Sequence, residues 1–317
     1  MPSKKDLIKE KLRRLETVPD AFINSLSSVE KKYFAEVIKL LSSLELVDGN
    51  FVLNEKNVAA LAEIESKLKP LFLKTDYVKN VKTFIDEIQT QANITDSYFK
   101  DEFTKVASEV IDEAGLLNLQ LIKKDAATQL LGKPVDVKFI DAISQTVNDA
   151  VLSNATYSET LDSLQNLIVG NAEIDSKISQ YAKQITHDLF AVGDRQYTQS
   201  ISEELNAQWF FWSGGIIKTS RAFCIERHNL YYHKKEIEKW GAGQKTVGLE
   251  LPFADGNWDG KMAGTNAATI FAYAGGWGCL HSVLPVSVFS VPKDVIERVI
   301  AEGFYKPSEE ELALLEL

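Results

Sequence analysis

Gln208-Trp209-Phe210-Phe211-Trp212-Ser213-Gly214-Gly215 is where one sequence pattern stops and another begins. Four consecutive large aromatic residues fit a buried strand better than one face of a helix, and the glycine pair then turns the chain. All five tryptophans, both cysteines and three of the four histidines lie between Trp209 and Pro292. The residues before this stretch are polar-faced, helix-like and almost free of glycine. We therefore expect a mainly α fold, an elongated helical body followed by a small irregular α+β module with short strands. The body should span 1–207, with a sub-boundary near 125–135, the module 208–292, and a C-terminal helix with an acidic tail 293–317.

Upstream, apolar residues recur in steps of three and four, the spacing of one helix face. Leu7, Ile8, Leu12 and Leu15 form one such run, and Pro19 predicts a break before the next, which carries Val29, Tyr33, Val37, Leu41 and Leu44. Asp48-Gly49 between short apolar runs predicts a minimal hairpin. Asn54 or Asn57 is positioned to cap a helix with Val58, Leu61, Ile64 and Leu68, which Pro70 should close. Helices are further expected over about 76–91, with Val78, Val81, Ile85 and Ile88 inward, and over about 96–122. Phe139, Ile143, Val147 and Val151 mark another, Ser158 starts the next, and a last one runs from Ile174 toward Leu205. Within the module, Leu230–His233, Ile270–Tyr273 and Val283–Val286 read as short strands, Lys235–Trp240 as a helix and 241–264 as a glycine-rich loop. Asp294–Ala301 should be helical.

The chain of 317 residues has a formal charge of -10 and a pI near 5.1. Non-specific nucleic-acid binding needs clustered Lys and Arg to displace phosphate counterions, so DNA contact is not supported by this balance. The run Lys4, Lys5, Lys9, Lys11, Arg13 and Arg14 is a local exception, expected to be a solvated helix face, with contact to a nucleic acid or an acidic partner as the alternative. No apolar run approaches the roughly 20 residues of a membrane span, so no membrane partner is expected. Met1-Pro-Ser-Lys-Lys lacks a signal-peptide core, and two cysteines build no secreted disulfide framework; synthesis in a reducing cytoplasm is expected.

Cys224 and His228 stand four apart, and Cys279 and His281 two apart. Thiolate and neutral imidazole are the donors tetrahedral zinc prefers, and two chelating pairs from distant segments are a usual layout for a structural zinc site. His233 is a spare candidate. The cysteines could equally be buried reduced thiols or a disulfide. Arg221 and Arg227 are expected to hold loop carbonyls in a segment poor in regular ladders. Trp209, Trp212, Trp240, Trp258 and Trp277 are expected as module core, with some left exposed as contact anchors. Phosphate-cradling, His-Glu-x-x-His and Gly-x-Ser-x-Gly motifs do not occur, and no catalytic residue is assigned.

Taken in order, Trp209, Trp212, Thr219-Ser-Arg-Ala-Phe-Cys224, Tyr231-Tyr232, Glu236-Ile-Glu-Lys-Trp240, Trp258-Asp-Gly260, Gly264-Thr-Asn266, Ile270-Phe271, Gly275-Gly-Trp-Gly-Cys279, His281-Ser282 and Leu284-Pro-Val-Ser287 resemble the C-terminal signature of phage head morphogenesis proteins, the minor head proteins similar to the Mu F protein. The resemblance covers about 180–292. Leu280 departs from it where the family usually has arginine, and Lys218 where an acidic residue commonly precedes the threonine. It implies a non-enzymatic virion component made in the host cytoplasm and sited at the portal vertex or capsid interior. Its expected partners are portal or other head and neck proteins, with several copies around the portal. The rival expectation is a phage-delivered enzyme, a toxin or nucleic-acid-processing domain, with a metal held by the Cys and His residues. An open pocket lined by ionisable groups inside the module would favour that rival.

Overall fold

The computed structural model describes residues 3–103, 111, 115–244 and 257–315. Helix α1 (Lys4–Leu41) buries a residue at every third or fourth position, from Leu7 through Lys11, Leu15, Val18 and Phe22 to Leu41. The break predicted at Pro19 does not occur, and the helix runs through it. A proline inside a helix costs about 3 kcal/mol in lost hydrogen bonding and steric conflict. Each fully buried large apolar side chain of the stripe contributes about 1.5–3 kcal/mol, so Leu15, Val18 and Phe22 together outweigh it.

The chain forms two compact units, one of 18–87 and 123–186, the other of 1–17, 88–122 and 187–317. In the first, β1 (Leu46–Val47) and β2 (Asn50–Phe51) pair across Asp48 and Gly49, whose φ values of 50° and 82° are those a two-residue Asp-Gly turn requires. Asn54 then caps α2 (Glu55–Leu73), accepting the Asn57 amide at 2.8 Å. Helix α2 passes Pro70 by three residues and buries Phe72. Ile64 and Leu68 are buried as expected, but the first turn differs. Val58 is exposed and Asn57 buried, because the Asn57 side chain accepts the Glu45 amide at 2.7 Å and donates to the Glu45 and Val52 carbonyls at 3.0 and 2.7 Å.

Helix α3 (Tyr77–Phe103) joins what sequence spacing divides into two helices near 91–96. Tyr77, Val81, Phe84 and Ile88 are buried while Val78 is exposed. Residues 104–110 and 112–114, over which the second of those helices should continue, lie outside the described residues, and 116–122 are helical in α4 (Leu116–Leu131). A turn at Lys133–Val135 with Pro134 in it and a π-helical stretch, Asp136–Ile140, lead into α5 (Asp141–Leu152). Helix α6 (Tyr157–Ile168) opens with a capping box between Thr156 and Glu159. Helix α7 (Lys177–Glu204) begins after Ile174, which is exposed.

The unit containing 187–317 holds the strands β3 (Trp209–Ser213), β4 (Leu230–His233) and β5 (Ser282–Val286) in an antiparallel sheet of order β4-β3-β5. Short helices α8 (Ala222–Ile225), α9 (Lys234–Gly241) and α10 (Ile270–Tyr273) surround it, and α11 (Lys293–Ala301) and α12 (Glu309–Leu315) follow. Ile270–Tyr273, expected as a strand, is a helical turn: its Ala274 amide bonds back to the Ile270 carbonyl at 2.7 Å. Residues 245–256, half of the 241–264 loop, lie outside the described residues.

Alternation along β3 explains its four aromatics. Phe210 and Trp212 enter one core with Phe223, Tyr232, Trp240 and Trp258. Trp209 enters the other, with Val286, Ile296 and Val299, and Phe211 packs against it. A strand covered on both faces needs apolar residues at every position. Pro285, which has no amide to give a ladder, sits on the edge strand, and its carbonyl accepts the Tyr98 hydroxyl at 2.7 Å.

The basic run on α1 is not simply a solvated face. Lys5, Lys9 and Arg13 are exposed, but Lys11 and Arg14 are buried. Lys11 pairs with Asp194 and donates to Thr95 Oγ1 at 2.6 Å, and Arg14 Nε donates to Gln91 Oε1 at 3.1 Å. They occupy stripe positions between Leu7, Leu15 and Val18, so helix geometry turns them inward.

Candidate metal centre

Cys224 lies on α8, while Cys279 and His281 lie on the segment that enters β5. Folding brings these distant segments together. The two Sγ atoms are 3.8 Å apart, Cys279 Sγ is 3.8 Å from His281 Nδ1, and the three donor atoms all lie within 4.8 Å of one another. All three residues are buried, and both cysteines are free. A disulfide would bring the sulfurs to about 2.05 Å. By contrast, two thiolates about 2.3 Å from a tetrahedral ion stand about 3.8 Å apart, and a thiolate and an imidazole nitrogen about 3.6 Å. The cluster can hold a metal ion.

Two glycines give the donors room. A Cβ on Gly275 would fall 2.3 Å from Cys224 Sγ and 3.0 Å from Cys279 Sγ, and one on Gly214 would fall 2.5 Å from the His281 ring. Any side chain at either place would displace a donor. The surrounding loop is then fixed by hydrogen bonds. Trp258 Nε1 donates to the Gly275 carbonyl at 2.9 Å, and Asp188 accepts the Gly278 amide at 2.7 Å.

Arg195, buried on α7, donates to the backbone carbonyls of two of the donor residues, Cys279 at 2.8 Å and His281 at 2.9 Å, and to that of Ala272 at 2.5 Å. Sequence spacing did not single it out. Its signal is a charged pair, Asp194-Arg195, that follows the apolar run Leu189-Phe-Ala-Val192 after a single glycine.

Protonation is shared unequally between the thiols. The hydrogen bond from Cys224 holds Cys279 well below the usual thiol range, against burial and with help from His281 and Arg195. The same bond, together with burial, pushes Cys224 up.

Of the four expected ligands, His228 is the one not in the group. Its ring centroid is 5.7 Å from that of His281, and one of its nitrogens contacts the Asn229 side chain at 2.9 Å. His233 is no ligand either: it caps α9, its Nδ1 accepting the Lys235 amide at 3.3 Å, and packs against Trp209 and Tyr305. Trp209, Trp212, Trp240 and Trp258 are buried, and Trp277 is 54% exposed. Arg221 donates to the Trp277 carbonyl. Arg227, stacked 4.0 Å from the Phe223 ring centre and 4.5 Å from that of Trp240, donates to the Phe223 carbonyl at 2.9 Å. Both arginines do what a loop poor in ladders requires.

A cleft of about 540 Å³ opens beside the cluster, lined by all three donor residues and by Arg13, Glu16, Ile217, Ser220, Arg221, Trp277 and Leu280. Leu280 therefore presents an apolar side chain where the resembling family usually has a cation. No protein family, curated protein or solved structure matches this chain.

Proposed function

We propose that the chain is a structural component of a bacteriophage head, a minor head protein that acts by docking at the portal vertex or capsid interior. What carries the reading is the convergence of the resembling motifs: Trp212, Phe223-Cys224, Tyr232, Trp240, Trp258, Ile270-Phe271 and Cys279, spread across the segment 212–279, all meet in one buried core. An ordered set of motifs that forms a single core behaves as one rigid recognition module. A zinc ion held by Cys224, Cys279 and His281 would tie its two ends together, whatever fills the remaining coordination position. Trp277, exposed at the cleft rim, supplies the kind of aromatic anchor on which docking surfaces depend.

The test is twofold. Peptides of this chain should occur in purified particles in fixed ratio to the portal protein. Trp277→Ala, in a half-exposed position, should leave the chain folded but reduce its incorporation at least about tenfold, the loss of one strong anchor. Absence from finished particles would overturn the reading.

The cleft favours a second reading, a metal-dependent enzyme, because it joins the cluster to solvent beside Arg13, Glu16 and Arg221. Docking is preferred because hydrolytic metal chemistry needs a base near the ion, and the cleft's one carboxylate among the described residues, Glu16, stands on an exposed position of α1. A chelator that abolishes a measurable activity without unfolding the chain would reverse that order.

A further inference from the structure

The four-ligand arrangement expected from sequence closes a zinc site completely; the folded arrangement does not. We propose that Cys224 Sγ, Cys279 Sγ and His281 Nδ1 hold a zinc ion whose fourth position faces the cleft and takes an exchangeable water, displaceable by a small anion. The inference rests on the reading of the cluster as a zinc site, and is independent of whether the chain docks in a phage head.

Three observations support it. The Sγ–Sγ separation of 3.8 Å is that of a tetrahedral edge about a zinc ion, and the Cys279 Sγ–His281 Nδ1 separation of 3.8 Å lies within about 0.2 Å of one. Cys224, Cys279 and His281 are themselves cleft residues, so the face of the cluster not used by protein donors opens onto a volume of about 540 Å³, within the range of ligand sites. His228, the natural candidate to close the site, is neither within the donor group nor among the cleft residues. Three protein donors and one open position are the arrangement of zinc sites that bind external ligands, whereas closed four-donor sites are structural.

Charge selects the ligand class. Two thiolates and a neutral imidazole cancel the charge of a zinc ion, so the site accepts water or a small anion without a large electrostatic penalty. Arg221, whose guanidinium donates to the Trp277 carbonyl, contributes a positive charge to the cleft wall. Arg13 is already paired with Glu10 at 2.6 Å.

The experiment uses the full chain without a histidine tag. Elemental analysis should find about one zinc per chain, retained in His228→Ala and falling at least about tenfold in His281→Ala. Because a variant can fail to fold, the decisive measurement is on wild-type protein: after exchange of zinc for cobalt, its visible spectrum should show tetrahedral sulfur ligation and shift saturably on addition of azide. A cobalt spectrum unmoved by azide, or loss of metal in His228→Ala, means that the protein closes the site and overturns the open position. Failure of wild-type chain to bind zinc or cobalt overturns the metal site itself, while leaving particle incorporation as a separate question.

Discussion

Single residues decide whether the donor cluster can exist. Gly275→Ala puts a methyl group 2.3 Å from Cys224 Sγ, and overpacking of this kind costs about 1–3 kcal/mol. Its denaturation midpoint should fall accordingly, together with metal uptake. Arg195→Ala removes the donors to three buried carbonyls. Since each buried acceptor left unpaired costs about 1–3 kcal/mol, a loss of at least about 3 kcal/mol in urea denaturation is expected. His233 sets a pH dependence away from the cluster. Burial, followed by the charges of Lys235 and Lys234, lowers its pKa from 6.5 to about 4. In that window the unfolded chain takes up the proton more readily, so the stability is present above about pH 6.5 and is lost as pH falls toward 4. The full effect is at most about 3 kcal/mol. Comparing urea midpoints at pH 7.5 and pH 5, the wild type should lose more stability than His233→Gln; equal losses would contradict this account.

Elements are stabilised locally by caps and internally by their buried stripes. At the start of α6, Thr156 accepts the Glu159 amide at 3.1 Å and Glu159 reaches back to the Thr156 amide at 3.0 Å. Thr156→Ala should therefore cost about 1 kcal/mol by thermal or chemical denaturation. The ion pair of Lys11 with Asp194 ties α1 to α7, and both side chains are 1% exposed. Lys11→Met leaves the carboxylate buried without its cation and should cost about 3–5 kcal/mol, whereas replacing both partners by apolar residues should cost much less. The helices were legible because three- and four-residue steps need no tertiary information. The start of α2 at its Asn54 cap was legible too, but the ends expected at prolines and near 91–96 were not: Pro19 and Pro70 carry penalties that burial of neighbouring stripe residues overrides, and α3 runs straight through 91–96.

At the scale of the whole molecule, composition and compactness divide the chain differently. Residues 208–292 share a compact unit with 1–17, 88–122 and the C-terminal helices. Helix α11 belongs to the second core of the sheet through Ile296 and Val299, and Arg298 pairs with the fully buried Glu236 at 2.6 Å. A chain ending at Pro292 should consequently lose more than about 3 kcal/mol, because the buried Ile296 and Val299 and the Arg298 partner of Glu236 go together; calorimetry of the full and shortened chains would measure it. Local patterning alone determined the mainly helical fold, the Asp48-Gly49 hairpin, the aromatic strand and the residue types able to bind metal, since spacing and side-chain chemistry are properties of neighbours along the chain. The tertiary structure alone decided which donors meet. It joined Cys224 to Cys279 and His281, left His228 and His233 out, turned Lys11 inward and enlisted Arg195. Those outcomes depend on distances between segments many residues apart, which only the packing of the sheet and helices sets.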